Sequence, residues 1–229
     1  MVQDIRIYAK GLAFSEGVYN LRILEKIITN YRIILDRLVA VQLGKKKVSS
    51  DLKSQLNYDV RINEDSIELL INFALEHKEY IAAFAPDGGA GISNIIVNLL
   101  RDSVKLREVA SKFMEKGLPI NINISNNFNI GSRINNTNVS YDDNAGKIII
   151  NDPRILWAAQ VTRAPVNNLL SQIDGKVVEN ITISNEDDDF GLTPGQHNII
   201  GRNTEQLPTT LKLIGRLDMV CLLYTSPSP

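Results

Sequence analysis

G-ISNIIVNLLRDSVKLREVASKFMEK-G, residues 91–117, sets the architecture of this chain. Apolar side chains at Ile92, Ile96, Leu99, Leu106, Ala110 and Phe113 recur at three- and four-residue spacing, which puts them on one helical stripe facing a core. Arg101, Lys105, Glu108, Lys112 and Glu115 recur on the other side, which is expected to face water. Glu108 stands four residues before Lys112, the favourable order for a pair on a helix surface. Ser93 is the expected N-cap, and Gly117 followed by Pro119 is a stop signal. The expected helix joins an N-terminal part rich in Ile and Leu to a second part rich in Asn and Ile.

Before this helix, Asp4 to Ala9 alternates Ile5, Ile7 and Ala9 with polar residues, the period of a half-buried strand. Asn20 is placed to cap a helix in which Leu21, Leu24, Ile28, Tyr31, Leu35 and Leu38 form one stripe. Ile23, Ile27, Ile34 and Val41 widen that stripe, so the helix is expected to pack on a sheet and on a second helix. Gly44 ends it, and Lys45 to Lys47 read as a solvated basic turn. Tyr58 to Asn63 and Ser66 to Phe73 read as a hairpin around Asn63-Glu64-Asp65, while Glu76 to Ala85 is ambiguous between helix and strand.

After it, Ile120 to Ile124 and Phe128 to Ile134 read as weakly specified, Asn-interrupted strands. Val139 to Tyr141 and Lys147 to Asn151 flank a turn at Asp142 to Gly146 and suit a hairpin. Asp152 before Pro153 starts a helix that Pro165 must kink or restart, and Val177 to Ser184 returns as a strand. Asn185 to Gly195 is polar and turn-rich and reads as a linker, after which Leu207 to Val220 begins a new β-element.

Composition narrows the function classes. With 44% hydrophobic and 22% charged residues over 229 positions, the chain has enough apolar material for a substantial core. Twenty-five basic against twenty-six acidic residues leave no electrostatic footprint for a dedicated nucleic-acid binder. No apolar run approaches the roughly 18 to 20 residues of a membrane helix, and residues 1–10 lack the pattern of a secretion signal, so a cytoplasmic location is expected. The lone Cys221 lies in Cys221-Leu-Leu-Tyr-Thr-Ser-Pro-Ser-Pro229, which resembles the translation of a sequencing-library transposase adapter in frame. On that reading the cysteine is adapter-derived, the source is assembled environmental DNA, and the natural chain continues past Val220.

The strongest candidate for a ligand site is the loop Asp87 to Ser93. Gly88, Gly89 and Gly91 before a helix would let backbone amides, with Ser93, approach a phosphate at the positive helix end. The loop lacks the Lys-Ser/Thr of a P-loop and does not satisfy G-x-G-x-x-G, so a hinge into the long helix is the preferred reading. Glu186 to Asp189 lacks the ligand spacing of a calcium loop and reads as solvated linker, and Asp142-Asp143-Asn144 reads as a turn. His77 and His197 stand in no metal-ligand or triad spacing, and Trp157 sits among apolar helix residues as core. Neither a catalytic residue, a metal nor a cofactor is assigned.

The order of elements is similar to a family of uncharacterised bacterial proteins, a domain of unknown function often encoded near phage or genomic-island genes. DIRIYAKGLAF (4–14), SIELLINF (66–73), NLLRDSVKLREVASKFMEKGLP (98–119), ININISNN (120–127), KVVENITISN (176–185) and LIGRLDMV (213–220) carry the resemblance. It implies a bacterial source and a missing C-terminal β-domain, with no activity or functional residue to transfer.

The expected fold is α+β: an N-terminal β-α-β-β half (1–90), a connecting helix (91–117), a second β/α half (118–185), a linker (186–206), the start of a truncated β-domain (207–220) and the adapter-like tail (221–229). The expected function is a non-enzymatic binding or interaction module in a bacterial or phage context, its partner a protein. A phosphate- or nucleotide-handling enzyme using Asp87 to Ser93 is the alternative.

Overall fold

The computed structural model describes residues 4–14, 19–53, 56–63, 66–73, 91–125, 138–185, 189–201, 207 and 212–214. The segment 76–85 with His77, positions 87–90, the strand expected at 128–134, the acidic positions 186–188 and the tail 221–229 lie outside the described residues. The fold is α+β.

Strand β1 (Asp4–Lys10) turns Ile5, Ile7 and Ala9 to the core, as its alternation demands. Helix α1 (Leu21–Gln42) starts where Asn20 Oδ1 accepts the Ile23 N–H at 3.3 Å. Its buried side runs through Ile27, Tyr31, Ile34, Leu38 and Val41, whereas Leu21 is 74% exposed. Tyr31, Leu35 and Leu38 of the expected stripe are thus buried together with Ile27, Ile34 and Val41, which widen it, while Leu21 in the first turn is not. A short turn, α2 (Ser50–Lys53), precedes the hairpin of β2 (Leu56–Asn63) and β3 (Ser66–Phe73), whose strands pair with Asn63 opposite Ser66.

The long helix α3 (Ile92–Glu115) forms as its periodicity requires. Its N-cap, however, is Gly91, whose carbonyl accepts the Ile95 N–H at 3.2 Å; Ser93 is the second helical residue and is buried in the first turn. Ile96, Leu99, Leu106, Ala110 and Phe113 are buried as expected, but so are Val97, Leu100, Val104 and Val109, which take up the sides of the helix. The side expected to face water is only half open, because Tyr141 lies over it: its ring meets Phe113 edge-on at 6.4 Å and Lys105 Nζ at 5.7 Å. Lys112 Nζ donates to Glu108 Oε1 at 2.6 Å, the pair their spacing implied. Gly117 takes φ +67° and ends the helix.

Strands β4 (Asn121–Ser125), β5 (Val139–Asp142) and β6 (Lys147–Ile150) follow. β5 and β6 form the expected hairpin, whose turn is held by Asp142 Oδ1 accepting from the Asn144 and Ala145 N–H groups. Asp152 caps α4 (Pro153–Val161) with Pro153 in its first turn, and α5 (Arg163–Leu170) restarts beyond Thr162. Pro165 has no N–H to offer the Val161 carbonyl four residues back. That carbonyl instead accepts a hydrogen bond from Arg37 Nη1 of α1. Two further ties, Arg154 Nη1 to Gln42 Oε1 at 2.7 Å and Asn168 Nδ2 to Asn30 Oδ1 at 3.1 Å, set α1 antiparallel to α4 and α5 along their length.

The strand pairings cut across the expected division of the chain. β7 (Asn180–Ser184), assigned to the second half, pairs with β1, giving a five-stranded antiparallel sheet in the order β2-β3-β1-β7-β8. β8 (Asp189–Leu192) lies within the expected linker; its composition is poor for a strand, but β7 supplies the hydrogen-bonding edge and Leu192 is buried. A helical turn, α6 (Pro194–Gln196), runs on as a π-turn to Gly201. β9 (Lys212–Ile214), expected to open a separate β-domain, pairs parallel to β4 and completes a second sheet in the order β5-β6-β4-β9. Buried residues of both sheets and of α1, α3, α4 and α5 form one continuous core, so the two sheet-and-helix parts are not separate halves. α3 runs through that core, packing on α1, α4, β1, β5 and β6.

Among the described residues no helix is long and apolar enough to cross a membrane.

Candidate functional site

Of the residues singled out for phosphate binding, Gly88 and Gly89 lie outside the described residues, and Gly91 and Ser93 form the start of α3. Gly91 has φ −61° and ψ 157°, an extended conformation open to any residue, so its local geometry does not call for glycine. The Ser93 side chain is buried in the first turn of α3, among the helix's packing contacts. His197 begins the π-turn and is half-buried, and Trp157 packs against the core as expected. Among the described residues no group of three or more His, Cys, Asp or Glu is arranged to hold a metal.

The five-stranded sheet has two faces of different chemistry. Ile5, Ile7, Ala9, Ile181 and Ile183 turn inward and are buried. On the opposite face Arg6 stands across from Ser184, Tyr8 from Thr182 and Lys10 from Asn180. Arg6 and Lys10 are exposed, and the tyrosine and the three β7 residues are half-buried. The backbone row through Tyr8 and Thr182 continues to Glu68 on β3 and Arg61 on β2, and to Gly191 on β8. An antiparallel sheet with one face on a core leaves its other face to solvent or to a partner.

Two charged groups of α3 are buried where the helical pattern expects apolar ones. Asp102 is 1% exposed; its Oδ2 accepts from Asn138 Nδ2 at 2.9 Å, and its Oδ1 lies 3.7 Å from Arg101 Nε. Burial raises its pKa, and the Asn138 hydrogen bond and the Arg101 charge offset this only in part. The contact ties α3 to the residue that leads into β5.

Arg107, 6% exposed, projects from another side of α3 toward α5. Its Nη2 donates to Asn167 Oδ1, and its Nη1 to the Arg163 carbonyl at 3.4 Å. Burial, and then the neighbouring Arg163 charge, lower its pKa to about 10, so it is a cation at neutral pH. The sequence carried a signal for this residue: Arg107 follows Val104 by three positions and precedes Ser111 by four, sharing their buried side of the helix. Compared with protein-family models, curated proteins and solved structures, the chain matches none.

Proposed function

We propose that this chain is a non-enzymatic binding module of a bacterial or phage-associated protein, working in the cytoplasm and docking a protein partner on the outer face of its five-stranded sheet. The observation that supports this reading is the chemistry of that face. Arg6, Tyr8 and Lys10 alternate with the buried Ile5, Ile7 and Ala9 on the central strand, flanked by the hydroxyl and amide side chains of β7. Arginine and tyrosine on a rigid strand are what protein interfaces favour, because each presents contact area with little side-chain entropy to lose.

The test is partner recovery from a bacterial extract with immobilised wild-type chain and with the double variant Arg6→Glu, Lys10→Glu, whose exposed positions leave the core intact. A defined protein recovered by the wild type and lost by a variant with an unchanged Tm supports the docking face. Equal recovery by both refutes it. A phosphate- or nucleotide-handling enzyme at Asp87 to Ser93 makes a different forecast: ATP or GTP at millimolar concentration raises Tm, and Gly89→Val removes the rise.

A further inference from the structure

The edge of a sheet offers a row of backbone N–H and C=O groups to any strand that comes beside it. Chains blunt such edges with short strands, proline, bulges or charges on the core side. Of the four outermost strands among the described residues, three are short: β8 with four residues, β5 with four and β9 with three. β2 is different. It runs for eight residues, Leu56-Asn-Tyr-Asp-Val-Arg-Ile-Asn63, without proline or glycine. Its register with β3 is unbroken from Leu56 opposite Phe73 to Asn63 opposite Ser66, so no bulge turns it away. Among the described residues β3 is the only strand paired with it. Through β3, positions 58, 60 and 62 lie in register with the buried Ile5, Ile7 and Ala9. The two charged residues, Asp59 and Arg61, therefore occupy positions of the outer face and do not guard the core side of the edge.

The order of residues in β2 identifies what fits this edge. A second copy of the strand can extend the sheet antiparallel about a two-fold axis normal to it. That axis keeps each residue on its own face, and opposed residues of antiparallel strands share a face, so one residue must stand opposite its own copy. With Val60 on the axis, residues 57–63 all pair. Asp59 then stands opposite Arg61 of the partner subunit, and Arg61 opposite Asp59 of the partner subunit. Tyr58 stands opposite Ile62 of the partner subunit, and Asn57 opposite Asn63 of the partner subunit. Opposite charges, an aromatic with a β-branched residue, and two amides are each favourable cross-strand pairs. Moving the axis to Asp59 sets aspartate against aspartate, and moving it to Arg61 sets arginine against arginine. An axis at Tyr58 or Ile62 pairs fewer residues and matches no opposite charges.

We propose that β2 is a homodimerisation edge, at which two copies of this chain pair antiparallel with Val60 on the two-fold axis. The two five-stranded sheets then become one, with both outer faces on the same side. This dimer does not depend on what the outer face docks.

The experiment is sedimentation velocity of the whole chain over a concentration series, in which a reversible species of twice the chain mass is expected. Asp59→Arg and Arg61→Asp each set like charges across the axis and are expected to weaken dimerisation about tenfold. The double variant Asp59→Arg, Arg61→Asp restores opposite charges in the same register and is expected to regain it. Monomer at every concentration, single variants that dimerise like the wild type, or no recovery in the double variant would each overturn the proposal. Should the charge variants fail to fold, cysteines decide the matter in a Cys221→Ser background. Val60→Cys is expected to form a disulfide between subunits under mild oxidation, because opposed Cα atoms lie about 4.5–5.5 Å apart, within disulfide reach. Asn57→Cys stands far along the strand from its own copy and is expected to form none. Equal cross-linking at both positions, or none at Val60→Cys, refutes the pairing.

Discussion

Gly117 and Gly146 offer a matched pair of perturbations. Both have left-handed backbones, φ +67° and φ +59°, so changing either to alanine carries the strain of an L-residue in that region, roughly 1–2 kcal/mol. Their surroundings differ. Among the described residues nothing lies within 4 Å of a Cβ added at Gly117. At Gly146 the same atom would sit 2.1 Å from the Pro119 carbonyl oxygen and 3.5 Å from the Leu118 Cβ. That carbonyl is main chain and cannot swing aside. Relief would have to separate the segment entering β4 from the turn entering β6, where Asn121 N donates to the Gly146 carbonyl at 3.0 Å and the parallel pairing begins at Asn121 and Lys147. Forcing an extra carbon into such a contact adds about 1–3 kcal/mol. Gly146→Ala is therefore expected to lose roughly 2–5 kcal/mol and Gly117→Ala roughly 1–2 kcal/mol. For a chain of this length each kcal/mol shifts Tm by about 2–4 °C, so the variants should separate clearly in a calorimetric melt. Urea titration should show a lower midpoint at unchanged slope. If the two alanine variants melt together, the close approach of Pro119 to Gly146 is not a feature of the folded protein.

Asp102→Asn should stabilise at neutral pH. The folded-state pKa is raised above the ordinary 3.8, so the stability tied to this group is present at low pH and is lost as pH rises through the folded value. The variant's Tm advantage should be largest near pH 7 and vanish toward about pH 4; an advantage independent of pH would show that ionisation is not its source. Phe113→Ala removes a fully buried ring from α3 and should cost about 3–5 kcal/mol in urea unfolding. Arg37 and Pro165 should couple: Arg37→Met is expected to cost about 1 kcal/mol in the wild type and less in Pro165→Ala, where a restored N–H competes for the Val161 carbonyl. Strict additivity in that double-mutant cycle would refute the explanation of the break between α4 and α5. Deleting Cys221 to Pro229 should leave Tm unchanged within error, as its adapter-like sequence implies.

What local chemistry determines was legible in the sequence. Asn20 and Asp152 cap the helices they were expected to cap, the spacing in 91–117 gave α3, β2 and β3 pair as expected, and the turn at Asp142 to Gly146 connects paired strands. Pairing between distant strands was not legible. Nothing in Asn180 to Ser184 says that its neighbour is β1, and the three-residue β9 carries too little pattern to announce a place beside β4. Its composition hid β8, because Asp-Phe-Gly-Leu becomes a strand only when β7 presents an edge. Within α3 the apolar stripe and the charged side left Asp102 and Arg107 unassigned, although their positions fall on buried sides of the helix. For the candidate site, the sequence named the glycines before α3, while the bonds that bury Arg107 against Asn167 and the Arg163 carbonyl form only through tertiary packing.

The position of β1 bears on how a ribosome must deliver this protein. β1 is synthesised before both its partners and finds β3 once residue 73 has emerged, yet its other edge stays open until Asn180 to Ser184 appears. Throughout that interval a strand with Ile5 and Ile7 on one side exposes unpaired backbone, an invitation to strand exchange with a neighbouring nascent chain. Chains truncated before residue 180 should therefore self-associate. Folding should be slow for a chain of this size, because the five-stranded sheet closes through the pairing of β1 with the distant residues 180–184.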